Sequence, residues 1–341
     1  MSKSVLSIQS HVVHGYVGGK AAIFPLQTQG WEVDNINTVN FSNHTGYGSF
    51  KGTSIDESNE LKPILHQLFH GLHIPYTAVL TGYVPNSKLI ACIGDAITEL
   101  KSTSQNPLLY LLDPVMGDNN YLYVDESCIT QYRSFLDRHI VDIITPNQFE
   151  LELLIDSPIK SVADLKIAMA KLHLVHNIKY VVITSLNASI FDDQEDSSNS
   201  NGDGYIYCAC SSISAINHVE IFKINIIKSY FTGVGDLFSA LLLDKLYTNL
   251  QNLNDDVRVL SRSVNQVLTI MSKTLKLTHS LGIKQFNQAQ AHKKTTPSTV
   301  VGKINDADSM KYFELKIIQA RPYYDYDGPG EFTSSLLKVD L

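Results

Sequence analysis

Asp236 is the residue around which the chemistry of this chain is arranged. It follows Gly233-Val234-Gly235 and precedes an apolar run, residues 237–243, in which Ser239 alone is polar. Two glycines ahead of a helix let the backbone approach a ligand closely. The free amides of the helix start, with the positive end of its dipole, then form an anion site. A carboxylate there can take a hydroxyl proton while the amides hold developing phosphoryl charge. The plain alternative is that Asp236 caps the helix and the glycines make the turn. Gly-x-Gly-Asp alone is too short to separate the two.

Further acids supply what such chemistry needs. Asp113, Asp118 and Glu150 offer hard oxygens of the kind magnesium bridges to phosphates. They stand beyond short apolar runs, Asp113 and Asp118 after 108–112, and Glu150 with Thr145 and Asn147 after 140–144. Ser10 follows the run 4–9, Tyr83 follows 78–81, and Thr184 and Ser185 follow 180–183. One polar strand end is a turn, whereas several in succession outline a site. Asn147 and Glu150 also have the spacing of a helix N-cap and its capping-box acid, which by itself explains that pair. Residues 42–48, SNHTGYG, are rich in donors and read first as a turn, second as a reader of a small molecule's edge. Residues 14–20, HGYVGGK, fail as a phosphate-binding loop. His14 stands where the first glycine belongs and Ala21 where Ser or Thr would bind magnesium, so these glycines read as close packing beside a ligand.

The elements that must position these groups alternate. Strands are expected at 4–9, 31–41, 78–81, 108–112, 140–144 and 180–183. Helices are expected from Ala21, over 60–72, from Pro85 to Lys101, over 164–173, and over 257–278. An antiparallel meander is read at 188–191, 205–210 and 219–226, and a late edge strand at 312–318. Strands alternating with helices predict an α/β fold, a mostly parallel central sheet covered on both faces. Ligands of such sheets bind beyond the strand carboxyl ends, where the polar groups above collect. Residues 192–204 and 284–309 are polar and read as mobile insertions in one domain.

Composition narrows the class. The chain has 341 residues, net charge −7 and 18% charged residues, ordinary for a globular enzyme. There is no basic run with interleaved aromatics, so nucleic acid is not an expected partner. No apolar run nears the roughly 18 residues of a membrane span, and no long apolar leader opens the chain. Cys208 and Cys210 lie two apart in a strand pattern and read as packing, not a zinc site, which needs four ligands. A reducing, cytoplasmic setting fits, the nucleus being a second compartment it allows.

The residues then match a family. SIQSHV (7–12), FSNHTGY (41–47), LTGY (80–83), DPVMGD (113–118), IITPNQFE (143–150), VITS (182–185) and GVGDLF (233–238) resemble pyridoxal kinases of the ribokinase superfamily, and FELK (313–316) resembles the family's last strand. The resemblance runs over the whole chain except 192–204 and most of 284–309. It implies a ribokinase-like fold with about nine strands and homodimers. It also implies transfer of phosphate from ATP to the 5′-hydroxyl of pyridoxal, with pyridoxine and pyridoxamine as further B6 vitamers. Asp236 resembles the base, and Gly233, Val234 and Gly235 the anion hole. Ser10, Thr45 and Tyr83 resemble residues around the ring, with Val17 and Phe41 as walls. Asp113, Asp118, Thr145 and Glu150 match positions for Mg2+ or another divalent cation and for a monovalent cation, K+ or Na+. Asn147, Thr184, Ser185, Phe231, Thr232 and Gly233 match the nucleotide side. Val234 stands where many relatives carry Thr or Ala, Phe50 where animal relatives carry Trp, and Gly19-Lys20 where they carry Asn-Arg. The segment after Asp118 is short. Two rivals stay open, a hydroxymethylpyrimidine kinase of the same superfamily and a non-catalytic vitamer-binding homologue. The Ser-His-Val and Asn-His-Thr-Gly-Tyr runs weigh against the first, and the joint presence of Asp113, Asp118, Glu150 and Asp236 against the second.

Overall fold

The computed structural model describes residues 3–191, 204–253, 255–290 and 306–338. The strands, in chain order, are β1 (Lys3–Val12), β2 (Trp31–Phe41), β3 (Gly52–Ser54), β4 (Ala78–Thr81), β5 (Leu109–Leu112), the pair β6 (Gly117–Asp118) and β7 (Tyr121–Leu122), β8 (Ile143–Ile144), β9 (Tyr180–Asn187), β10 (Tyr205–Ser212), β11 (His218–Asn225) and β12 (Ser334–Lys338). Ten of them form one sheet in the order β12-β11-β10-β9-β8-β5-β4-β1-β2-β3, and β6 and β7 form a separate hairpin. The strands from β9 across to β2 run parallel. β3 and β10 to β12 pair antiparallel at the two ends.

The helices before the chain's last segment are α1 (Gly19–Thr28), α2 (Lys62–His66), α3 (Ser87–Thr103), α4 (Ser127–Leu136), α5 (Gln148–Ile155), α6 (Val162–Leu174), α7 (Val234–Asn252) and α8 (Asp256–Gln290), and single turns follow at Ala307–Met310 and Arg321–Tyr324. They cover both faces. Leu6, Ile8, Tyr110 and Leu112 pack with Ile93, Phe135, Leu151 and Leu165 on one side. Their strand neighbours Val5, Leu80, Leu111 and Val182 pack with Ala22, Leu241, Val264 and Leu268 on the other. Burial on both faces is why these strands are apolar runs without alternation. Cys208 and Cys210 lie in the second core as free, buried thiols. No helix among the described residues is long and apolar enough to cross a membrane.

The chain passes from β1 to β2 on one side and then returns to place β4 on the other. That reversal opens a crevice at the carboxyl ends of β1 and β4, where ligands of open α/β sheets bind. Two bulges flank it. Opposite Ser10 the β2 partner advances an extra residue between Asn37 and Asn40. On β9, Thr184 and Ser185 stand where β10 spends one residue. Bulges re-aim side chains at such places.

Several boundaries differ from the sequence reading, each for a local reason. Only Ile143–Ile144 of 140–144 joins the ladder, because the Asp142 carboxylate takes the Tyr110 amide at 2.8 Å in place of a strand carbonyl. Pro85 precedes helix α3 instead of opening it, since Asn86 is the cap and accepts from the Leu89 amide. Ala188–Phe191 is a 3-10 turn, started by Asn187 Oδ1 accepting from the Ser189 amide, and β9 itself supplies the third strand of the meander. Helix α8 runs on through Gly282 to Gln290, so 284–290 is helix and not linker. A Cβ at Gly282 would stand 2.7 Å from the Phe313 ring, so this glycine marks close packing and not a helix end. Residues 312–318 form turns, with Leu315 and Ile317 in the core under α7 and α8. The edge strand is β12 instead. Asp306 caps a short turn of helix at Ala307–Met310. Residues 192–203 and 291–305 lie outside the described residues.

Candidate active site

Sheet order lays the site out as a line. Adjacent strands stand about 4.8 Å apart. Thr184 and Ser185 belong to β9, and Thr145 and Asn147 follow β8. Asp113 follows β5, Tyr83 follows β4, Ser10 lies in β1 and Phe41 ends β2. The predicted nucleotide residues, the acids and the predicted vitamer residues therefore succeed one another along one rim, over roughly 20 Å between β9 and β1.

Helix α7 aims its N-terminus at the middle of that line. Its cap, Gly233, has φ 83°, and a Cβ there would meet the Tyr16 carbonyl at 2.1 Å. The 14–18 loop thus seals against the helix start, and only glycine fits. Val234 and Gly235 follow with helical backbone, so their amides are among the unpaired donors of the first turn. Loss of a hydroxyl at Val234 leaves these amides in place.

Asp236 lies between β4 and β5. Its carboxylate accepts from the Gly18 amide and faces Gly82, where an added Cβ would stand 3.5 Å from Oδ1. Burial pushes its pKa up, and the Gly18 amide opposes the rise. Asp113 is fully enclosed, and its Oδ2 accepts from Ser239 Oγ at 3.1 Å. Burial, with the neighbouring charges of Glu150 and Asp236, raises its pKa well above the usual carboxylate range. Ser239 also shares a hydrogen bond with Thr145 Oγ1 at 2.9 Å. It was visible in the sequence as the lone polar residue of an apolar helix, one turn after Asp236, but its role was not.

Glu150 does two jobs. With Asn147 it forms the capping box of α5. Its Oε2 accepts from the Asn147 amide at 2.9 Å and its Oε1 from the Met116 amide at 3.0 Å. Burial raises its pKa to about 8 even though three backbone amides favour the charged form. The capping reading of the pair therefore holds, and the same acid fixes the turn that carries Asp118. Asn147 adds a bond from Nδ2 to the Gly117 carbonyl. Asp118 is half-buried beside a two-residue turn whose Asn119 and Asn120 have φ 49° and 62°, the backbone a tight hairpin demands. Burial raises the Asp118 pKa, against the Asn119 amide.

Among the described residues, no three His, Cys, Asp or Glu side chains converge to hold a metal by themselves. Asp113 and Asp118 suit a cation that takes one or two carboxylates and completes its shell with water and phosphate. Glu150 spends its oxygens on amides.

Toward the other end, Ser10 is buried against Gly18, where a Cβ would meet Ser10 Oγ at 2.2 Å. Val17 is buried, Phe41 and Tyr83 are half-buried and Thr45 is exposed. Phe41 stacks on Phe50 with ring centres 4.5 Å apart. Thr38 Oγ1 donates to the Tyr83 carbonyl at 2.7 Å, tying β2 to the end of β4. Phe231 and Thr232 lie half-buried in the loop before α7. The sequence reading did not single out Tyr123 and Tyr230, whose hydroxyls bond each other beside Asp118. It also missed Gln9, whose buried Oε1 has no partner and lies 2.8 Å from a Cβ placed on Gly82.

A helix N-terminus with an adjoining acid, aimed at a row of oxygen ligands between two binding regions, defines a phosphotransferase. The sequence profile of the phosphomethylpyrimidine kinase family matches residues 36–277. The pyridoxal kinase of Sus scrofa is 40% identical over 267 residues, 73% of this chain and 76% of that protein. A Saccharomyces cerevisiae protein provisionally named a pyridoxal kinase is 42% identical over 325 residues, 94% of this chain and 95% of its own. The solved pyridoxal kinase of Leishmania donovani, in complex with ADP and pyridoxamine, superposes with TM-score 0.74 at 27% identity, covering 98% of this chain and 99% of that one. The chain therefore belongs to the pyridoxal kinases of this family, with their ribokinase-like fold.

Proposed function

We propose that the chain transfers the γ-phosphoryl group of ATP to the 5′-hydroxyl of pyridoxal, and of pyridoxine and pyridoxamine, giving the 5′-phosphate in vitamin B6 salvage. Asp236 takes the hydroxyl proton as the oxygen attacks, and the amides of Gly233, Val234 and Gly235 hold the transferred oxygens. Ser10, Thr45 and Tyr83 orient the ring between Val17 and Phe41. Asn147, Thr184, Ser185, Phe231 and Thr232 hold the nucleotide. Asp113 and Asp118 hold Mg2+ or another divalent cation carried in with the nucleotide, whose contribution is to neutralise phosphate charge. Thr145 and Glu150 shape the same region, where a monovalent cation, K+ or Na+, belongs to this reading. A homodimer in the cytoplasm completes it.

The observation that carries this proposal is the Asp236 carboxylate at the start of α7, facing Gly82 at the end of β4, with Asp113 beside the same helix start, where a Cβ on Gly235 would stand 3.6 Å from Asp113 Oδ2. Its direct test is ATP consumption by the purified chain with pyridoxal, read as formation of pyridoxal 5′-phosphate. No vitamer-dependent turnover would leave the non-catalytic reading standing.

The metal assignment has its own consequence. Excess chelator is expected to abolish turnover. Asp118→Ala is expected to raise the magnesium concentration needed for half-maximal rate by roughly tenfold, the scale of one lost charge-assisted contact. An unchanged magnesium titration in that variant would take Asp118 off the metal.

A further inference from the structure

Glu314 lies far along the sequence from every residue so far given a role, in the 312–318 turns near the end of the chain. Yet its carboxylate reaches two loops of the vitamer side at once. Tyr47 Oη donates to Oε1 at 2.7 Å, and His44 Nε2 lies 2.9 Å from the same oxygen. The Tyr16 amide donates to Oε2 at 2.9 Å. Both His44 and Glu314 are more than nine-tenths buried. Burial opposes ionisation of Glu314, but the donors from His44 and Tyr47 outweigh it, leaving the pKa below the usual glutamate value. An ionised carboxylate only accepts, so Nε2 of His44 carries a proton. Its Nδ1 is buried without a partner.

Both loops are shaped to this carboxylate. Gly15 has φ 96°, and a Cβ there would lie 2.5 Å from Glu314 Oε2. A Cβ on Gly46 would stand 3.0 Å from His44 Nδ1 and 3.1 Å from Met310 Cε. Glu314 itself is held from both sides, because Phe313 and Leu315 are core residues and the Lys316 amide donates to Thr278 Oγ1 of α8 at 3.0 Å. It is thus a fixed acceptor, and the two loops come to it.

We infer that Glu314 is the positioning residue of the vitamer pocket, a buried carboxylate clasp that sets the distance between the loop bearing Val17 and the loop bearing Thr45. This rests on the assignment of those loops to the vitamer proposed above. Of the nucleotide residues, Asn147 follows β8 and Thr184 and Ser185 lie on β9, at the other end of the rim; only Gly233, packed against the Tyr16 carbonyl, adjoins the clasp, so the effect of losing it falls chiefly on the vitamer.

The test is Glu314→Gln, which keeps the shape but turns one acceptor oxygen into a donor facing donors. Tyr47→Phe removes a single arm from a half-buried ring and serves as a milder second variant. For both, KM is measured for pyridoxal and for ATP separately, beside the melting temperature. KM for pyridoxal is expected to rise roughly tenfold or more in Glu314→Gln and less in Tyr47→Phe, with a clearly smaller change in KM for ATP. Glu314→Asp, which keeps the charge, is expected to recover part of the loss. A lower melting temperature with both KM values unchanged would make Glu314 a structural residue only and overturn the inference, as would equal rises in both. A parent protein that neither binds nor phosphorylates pyridoxal would overturn the proposed function instead, a separate outcome read on the unmutated chain.

Discussion

Asp236→Asn is expected to lower kcat by roughly 10²- to 10⁴-fold while pyridoxal still binds, the range by which a positioned base speeds proton transfer. Asn keeps the size of the side chain and can still meet the Gly18 amide through its oxygen, so the 14–18 loop and the helix start should stay in place. What disappears is the acceptor for the hydroxyl proton. The parent enzyme should also show which group titrates. The base works ionised, and burial raises the Asp236 pKa from its ordinary value. Activity should therefore fall as pH drops through that raised value, with the acid limb of kcat/KM centred above the ~3.9 of a free aspartate. The residual activity of Asp236→Asn should lack this limb. Near-full turnover in the variant would reduce Asp236 to a helix-start residue and remove the mechanism.

What could be read from the sequence, and what could not, follows from how far apart the cooperating residues lie. Strands β4 and β5 are legible because burial on both faces leaves apolar runs with polar residues only at their ends, β1 because Val5, Leu6 and Ile8 dominate it, and β2 because Trp31, Ile36 and Val39 are buried among exposed polar residues. The same contrast made Ser10, Tyr83, Asp113 and Thr145 visible as a rim. Local side-chain chemistry overrode the pattern elsewhere. Asp142 takes the Tyr110 amide and shortens a strand. Asn187 caps a turn where 188–191 reads as strand. The helix expected over 257–278 runs on through Gly282, which packs closely on the Phe313 ring. The alternation Phe313, Leu315, Ile317 has the period of an edge strand, but it packs under α7 and α8 instead. Least legible is the clasp, because Glu314 and His44 are separated by 270 residues and nothing local to either points to the other. The bulges that aim Ser10 and Thr184 were equally hidden, since a bulge is a property of two strands and a sequence shows one at a time.

The vitamer pocket should choose its ring by what it leaves unpaired. Ser10 is held opposite the β2 bulge with its hydroxyl against the 14–18 loop beside Val17. Thr45 opens the short turn Thr45–Tyr47, whose last residue bonds Glu314. Once a ligand covers them, these two polar groups sit in surroundings made by Val17, Phe41 and the Phe50 ring stacked on Phe41. Each such group left without a partner costs about 1–3 kcal/mol, and a tenfold change in rate is 1.4 kcal/mol. A ring whose edge serves neither group should then be used roughly 10²- to 10⁴-fold less efficiently. Pyridoxal is accordingly expected to be phosphorylated in preference to hydroxymethylpyrimidine by a factor in that range of kcat/KM. Ser10→Ala and Thr45→Val should each erode the preference by weakening pyridoxal use, leaving KM for ATP where it was, because Asn147, Thr184 and Ser185 lie beyond β5 and neither substitution touches the loop before α7. The two substrates are measured side by side on one preparation. A preference for the pyrimidine would exchange one kinase activity for the other within the same family. An ATP effect as large as the pyridoxal effect would move Ser10 and Thr45 away from the ring, and would mean that strand order does not separate the two substrates along the rim.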